Sequence, residues 1–331
     1  MSKRWVLSPP NKGLQSEISS KLKISSLLAQ ILINRGITDV TSAKSFLNPQ
    51  MNLLGDPSSL PDIDKASFRI NEAIKNGENI VIYGDYDVDG LTATALMYRC
   101  LELVGAKVAY YIPERLEEGY GLNADAIIRL KKGGAKVILT VDCGINACHE
   151  AEVARDCGID LIITDHHQPG KETPRAFAVV NPKLKIAENG FKDFSGVGIA
   201  FKLAWAIGQH FSPQKKVSAE FKEFLISAVG LVSLGTIADV VPLVGENRIL
   251  TRYGLSALQN TEIPGLRALL DIADISNINL DTYHVGYRLG PRLNAPGRIG
   301  KAGIVVEMLT TTSKERAVEI ANFLEQENKR R

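Results

Sequence analysis

From Ile80 onward the sequence alternates short apolar runs with stretches long enough for a helix. The runs are Ile80-Val81-Ile82-Tyr83, Val108-Ala109-Tyr110-Tyr111-Ile112, Val137-Ile138-Leu139-Thr140-Val141, Leu161-Ile162-Ile163-Thr164 and Ala178-Val179-Val180. Near-continuous β-branched runs suit strands buried on both faces, and parallel strands need a crossover between them that a helix fills. The pattern therefore predicts an α/β fold, a mostly parallel sheet flanked by helices. It stops near Gly196-Val197-Gly198-Ile199. Residues 199 to 260 read as helices, with Phe224, Leu225, Val229, Val232 and Leu234 on apolar faces, and the tail from Ala302 to Arg331 is also helical in pattern. Upstream, Leu27, Leu28, Ile31 and Leu32, then Phe68, Ile70, Ala73 and Ile74, recur at helical spacing. The expected organisation is an N-terminal helical segment over 1–76, an α/β domain over 77–260, and a loop and terminal helix over 261–331.

The first of these runs leads into G-D-Y-D-V-D-G, residues 84–90. Asp85, Asp87, Asp89 and Gly90 fill the first, third, fifth and sixth places of a calcium-binding EF-hand loop, which requires a bidentate Glu at its twelfth. The twelfth place here is Leu96, and a β-branched run precedes the motif where a helix should end. The EF-hand reading fails on both counts. What remains is a strand whose C-terminal end carries three acids, followed by Leu91-Thr92-Ala93-Thr94-Ala95, suited to starting a helix. In open α/β sheets ligands bind at that edge.

Other strand ends repeat the chemistry. The third run ends at Asp142 in T-V-D-C-G, the fourth at Asp165, His166 and His167 in T-D-H-H, and Asp239 follows in G-T-I-A-D-V-V-P-L. One acid after one strand is as readily a turn residue. Their coincidence at one edge of a parallel sheet points instead to a metal site. Carboxylates with one or two imidazoles suit Mn²⁺ or Mg²⁺ better than zinc or calcium, and an imidazole ligand tilts the choice toward Mn²⁺. Two divalent ions sharing a carboxylate would acidify a water and stabilise both oxygens of a phosphoryl transfer. This is the ligand chemistry of a phosphoesterase.

Composition sets the remaining bounds. With 331 residues, 45% hydrophobic and 23% charged, the chain is long enough for two domains, and a formal charge of +2 neither announces nor excludes nucleic-acid binding. Met1-Ser-Lys-Arg-Trp carries no secretory pattern and no uninterrupted apolar segment reaches about 18 residues, so a cytoplasmic location and no membrane association are expected. Cys100, Cys143, Cys148 and Cys157 form no C-x-x-C pair and are expected to be reduced, mostly buried thiols.

The four motifs G-D-Y-D-V-D-G, T-V-D-C-G, T-D-H-H and G-T-I-A-D-V-V-P-L, in that order, resemble those of the DHH phosphoesterase superfamily. The longer strings I-P-E-R-L-E-E-G-Y-G-L, S-G-V-G-I-A-F-K-L, L-V-G-E-N-R and G-P-R-L-N-A-P-G-R are similar to its RecJ branch, single-strand-specific 5′-to-3′ DNA exonucleases. That likeness includes R-G-I-T-D-V and F-L-N-P near the N-terminus. The resemblance implies two divalent cations, Mn²⁺ before Mg²⁺, and single-stranded DNA threaded to them and released as 5′-mononucleotides in DNA repair and recombination. It implies that Asp87 and Asp89 bind different metals, that Asp142 bridges them, and that His166 and Asp239 complete the second site. Asp85 would support the first site, His167 would meet the scissile phosphate or the developing oxyanion, and Asp165 would orient its neighbours. By the same resemblance Arg115 is a candidate grip on phosphate near the 5′ end, while Arg292 and Arg298, in a Pro- and Gly-rich loop, would clamp the backbone. Tyr86 and Tyr120 are candidates either for stacking bases or for buried packing.

RecJ-like nucleases continue into a second lobe with a G-G-H motif, the DHH-associated domain, and usually an OB-fold. Neither is present in this sequence, so the resemblance implies a catalytic part whose terminal helix leads toward an absent lobe. Three alternatives remain: an inorganic pyrophosphatase, a DHH phosphodiesterase acting on short oligonucleotides or cyclic dinucleotides, and a non-catalytic DNA-binding scaffold with an eroded metal site. Tyr83 stands where the pyrophosphatases carry a histidine, and every expected ligand is present, which argues against an eroded site.

Overall fold

The computed structural model describes residues 6, 9–114, 119, 121–184, 190–211 and 216–330. Two compact units, residues 1–54 and 55–331, each hold their own core. In the first, helices α1 (Lys12–Leu22), α2 (Ser26–Asn34) and α3 (Val40–Leu47) enclose Ile18, Ala29, Leu32 and Ala43. Asn11, Ser25 and Asp39 cap these helices by accepting from backbone amides three residues on. The division falls at Leu54, not near residue 76, because α4 (Ile63–Lys75) buries Ile63, Ala66, Ile70 and Ala73 within the second unit.

The second unit is built on five parallel strands: β1 (Asn79–Gly84), β2 (Lys107–Tyr111), β3 (Ala135–Val141), β4 (Asp160–Thr164) and β5 (Ala178–Val180). All five expected strands are present, and the fold is the expected helix-flanked parallel sheet. On one face lie α6 (Ala124–Lys132) and α7 (Cys148–Asp156), packed on Tyr83, Ile138, Leu161, Ile163 and Val179. On the other lie α4, α5 (Val88–Leu103) and α8 (Gly196–His210). Outward from α5 and α8 follow α9 (Ala219–Ala238), α10 (Gly245–Gln259), α11 (Pro264–Ile272), α12 (Gly290–Asn294), α13 (Gly303–Thr310) and α14 (Lys314–Lys329). α9 is apolar and long enough to cross a membrane, but it is mostly buried against α5, α8 and α10, as a core helix is.

Two local readings change. G-P-R-L-N-A-P-G-R is not a loop: a π-helical segment (His284–Leu289) runs into α12 and then a 3₁₀ turn over Pro296–Ile299. Pro291 and Pro296 each sit in the first turn of their element, where the missing N–H costs nothing. The four cysteines are free as expected, but only Cys100 and Cys143 are fully buried.

The strand order is β2-β1-β3-β4-β5. It reverses between β1 and β3, so the connections leaving these two strands diverge to opposite sides and open a crevice at their carboxyl ends. The acidic motif leaves β1 and Asp142 leaves β3 at that point.

Candidate metal centre

β1 ends at Gly84, so the three acids lie beyond the strand and not along it. Asp87 is the N-cap of α5, its Oδ1 accepting from Gly90 N at 3.1 Å, and Asp89 occupies the helix's first turn. Helical geometry, not strand alternation, sends these two carboxylates into the crevice. Gly90 is required because a Cβ there would lie 2.6 Å from the Cβ of Asp85.

Asp142 follows β3 at φ +63°, a left-handed position that Asp tolerates better than most residues, and its N–H continues the sheet ladder to Thr164 O at 3.0 Å. One strand over, Asp165 N donates to Val180 O, and His166 and His167 emerge beside Asp142. Asp239 ends α9 and is followed by Val240 at φ +62°. For a β-branched residue that is strained backbone, here adjacent to an acid of the site.

These residues converge. Ligand atoms of Asp85, Asp87 and Asp142 lie within 4.8 Å of one another, as do those of Asp89, His166 and Asp239, and those of Asp142, His166 and His167. His166 Nε2 is 3.2 Å from Asp142 Oδ1, 3.5 Å from Asp239 Oδ2 and 3.9 Å from Asp89 Oδ2. Nε2 of His166 and Oδ1 of Asp142 are buried and have no hydrogen-bond partner among the described residues. Nε2 therefore faces the acids without a hydrogen-bond partner, as a ring nitrogen available to a cation does.

The electrostatics fit a cation. Burial, and then the neighbouring carboxylates, push Asp89 and Asp142 well above the usual carboxylate range, Asp85 to about 7 and Asp239 to about 6. Burial and the charge of His167 push His166 down to about 4, so its imidazole is neutral. Crowded buried carboxylates facing an unprotonated imidazole and orphaned ligand atoms make a site that divalent positive charge would satisfy.

Asp165 has a different role. Its Oδ1 accepts from His167 N at 3.0 Å and pairs with His167 Nδ1 at 2.8 Å, while Oδ2 accepts from Ile145 N at 2.9 Å. Against the opposing effect of burial, these bonds hold Asp165 below the ordinary carboxylate range, and the same contact raises His167. Asp165 thus orients a half-exposed imidazole at the mouth of the site.

Other participants carry no side chain that a sequence could advertise. Asp89 Oδ2 accepts from Gly196 N at 2.6 Å and Oδ1 from Val197 N at 2.9 Å, so the start of α8 grips one carboxylate by its amides. A Cβ on Gly196 would lie 2.5 Å from Cβ and Cγ of Asp142, and one on Gly235 would lie 2.5 Å from Asp89 Oδ1 and Thr92 Oγ1. Ser195 caps α8 and bonds Thr236 on α9 at 2.9 Å. The G-V-G string was the available signal for this contact, since glycine opening a helix beside a buried acid implies close approach.

Two cavities flank the acids. One, of about 430 Å³, is lined by Tyr86, Asp87, Ala238, Gly286, Gly290 and Arg298, among others, and the second by Gly121, Gly144, Asn146, Glu150, Asp165 and His167, among others. Arg298 and Tyr86 therefore stand at the site. Arg292 does not line that cavity: its Nε pairs with Glu325 Oε2 at 2.6 Å and its Nη1 donates to Arg288 O, contacts that brace α12 against α14. Arg115 and Tyr120 lie outside the described residues.

The N-terminal domain of the DHH family matches residues 79–229. A crystal structure of exonuclease RecJ bound to manganese superposes with a TM-score of 0.75 at 34% identity, over 84% of this chain and 67% of that one. The chain belongs to the DHH family. Within it the chain is similar to RecJ proteins. The single-stranded-DNA-specific exonuclease RecJ of Bacillus subtilis is 41% identical over 330 residues, 99% of this chain and 40% of the relative. RecJ from Thermus thermophilus in complex with Mn²⁺ superposes at a TM-score of 0.81 and 31% identity, over 98% of this chain and 45% of that one. The chain thus spans about half the length of the curated RecJ relatives it matches.

Proposed function

We propose that this DHH chain is the catalytic part of a metal-dependent exonuclease that hydrolyses single-stranded DNA from its 5′ end to 5′-mononucleotides, in DNA repair and recombination. The observation that carries the reading is the pair of adjoining ligand groups, Asp85/Asp87/Asp142 and Asp89/His166/Asp239. Asp142, 3.2 Å from His166 of the second group, is the residue placed to serve both. Two divalent cations, Mn²⁺ in preference to Mg²⁺, suit this set of carboxylates and imidazole. When bound, they supply charge neutralisation for the phosphate and a water acidic enough to attack at neutral pH.

The chain's own residues do the remaining work. The start of α8 fixes Asp89, so that a buried carboxylate keeps one orientation whether or not substrate is present. Asp165 fixes His167 by Nδ1, so that Nε2 is the nitrogen that would donate to a non-bridging phosphate oxygen or to the leaving oxygen. Arg298 would pair with a backbone phosphate in the cavity beside Asp87. Cavities on both sides of the acids suit a linear polymer, with a nucleotide leaving on one side and the strand entering on the other.

The test compares 5′-phosphorylated single-stranded DNA, duplex DNA, pyrophosphate and dinucleotides side by side in Mn²⁺. Mononucleotide release from the single strand, abolished by chelator and reduced by at least roughly 10³-fold in Asp142→Ala, is expected. Preference for pyrophosphate or dinucleotides would overturn the substrate, and digestion surviving Asp142→Ala would overturn the site.

A further inference from the structure

We propose that Tyr283 and Tyr287 form a nucleobase-stacking platform for the strand that feeds the groove beside Asp87. The proposal rests on the reading of this chain as acting on single-stranded DNA and adds a subsite to it. The two tyrosines lie four residues apart on the π-helical turn and its approach, with ring centroids 4.9 Å apart and planes at 28°. Both are exposed, 59% and 71%. Val285 and Leu289, fully buried, anchor the opposite side of the same turn. The segment is therefore held by its inner residues, and the ring pair contributes little to that hold. Two large aromatic faces remain in water, where small polar side chains would serve the fold as well.

Their position gives the pair a function. Gly286 and Gly290, either side of Tyr287 in sequence, line the same cavity as Asp87, Tyr86 and Arg298. A Cβ on Gly286 would meet nothing within 4 Å, so bare backbone at this point leaves room that the fold does not use. The turn that carries the stacked aromatic pair thus also borders, through its glycines, the cavity that holds an acid of the site and a cationic side chain. Its chemistry matches a single strand: phosphate beside the guanidinium, and bases, whose π-faces are uncovered only when unpaired, against the rings. A π-helical turn has the poorer hydrogen bonding that tends to be kept where a site needs it.

Steady-state hydrolysis in Mn²⁺ by the full chain tests this with two probes. One is a 5′-phosphorylated oligodeoxythymidylate, and the other has the same length with abasic interior nucleotides. For Tyr283→Ala and Tyr287→Ala, KM for the base-bearing strand is expected to rise roughly 5- to 100-fold, with little change for the abasic strand. Tyr287→Phe is expected to behave as the unsubstituted chain does, because stacking needs the ring and not the hydroxyl. Circular dichroism and the melting temperature of both alanine variants should match those of the unsubstituted chain, which separates loss of stacking from loss of folding. Equal losses on the base-bearing and abasic strands, or no loss on either, would overturn the platform while leaving the nuclease reading intact. An unsubstituted chain that releases nothing from either strand would overturn both.

Discussion

Asp85, Asp87, Asp89, Asp142, Asp165 and Asp239 share one crevice, and without a cation those not paired to histidine repel one another. In chelator, Asp85 at about 7 and Asp239 at about 6 keep protons that the unfolded chain releases near the usual value of 3.8. The folded state then binds more protons than the unfolded one, so the stability they contribute is full below the unfolded value and lost as pH rises through 6 to 7. Melting in chelator is expected to drop to lower temperature from about pH 5 to about pH 8, and Mn²⁺ to reverse most of that drop at the upper end. A melting temperature that rises over this interval in chelator would contradict the repulsion. Gly196→Ala tests the close approach of α8. Overpacking against Asp142 should cost about 1–3 kcal/mol by denaturant unfolding, with a weakened Mn²⁺ affinity by calorimetric titration. Unchanged Mn²⁺ binding would show that the glycine is not needed there. The acids and histidines of the site could be read from their letters, because their chemistry is in their side chains. The amides of Gly196 and Val197 have no such letter, because every residue but proline has one, and only the glycines of G-V-G hinted at the close approach.

The elements hold the site through contacts that no local pattern announces. α8 presents its first amides to Asp89, and farther along it buries Lys202, whose Nζ pairs with Glu246 Oε2 of α10 at 2.5 Å and donates to Gly55 O at 2.6 Å. Burial lowers the Lys202 ammonium against the opposing pull of Glu246. Lys202→Met is expected to cost about 3–5 kcal/mol in denaturant unfolding by leaving Glu246 buried and unpaired, and adding Glu246→Gln should recover part of it. If the double substitution is no more stable than the single one, the pair is not the source of the loss. α5 could be placed from its sequence, but its start could not. Leu91-Thr92-Ala93 marked the helix, whereas Asp87 caps it and draws Asp89 into its first turn. G-P-R-L-N-A-P-G-R was misread because proline and glycine mark loops on average, yet proline also opens helical turns.

At the scale of the whole molecule, the five strands and the helix-flanked parallel sheet were legible because buried parallel strands leave continuous apolar runs. Their order was not. Nothing in the runs says that β1 lies between β2 and β3, since neighbours are chosen by how the crossover helices pack, and it is this order that brings Asp87 and Asp142 together. Among the described residues, those of the first unit, 1–54, have their own core and contribute no ligand to the candidate site. A chain beginning at Gly55 is therefore predicted to bind Mn²⁺ as the full chain does, and loss of that binding would show that the first unit supports the second. The proposed function requires Asp142 to join two adjoining cation sites in a phosphodiesterase centre. Calorimetric titration of the metal-free chain with Mn²⁺ tests it most directly: two ions per chain are predicted, falling to one or none in Asp142→Ala. One ion in the unsubstituted chain, or two retained without Asp142, would contradict it.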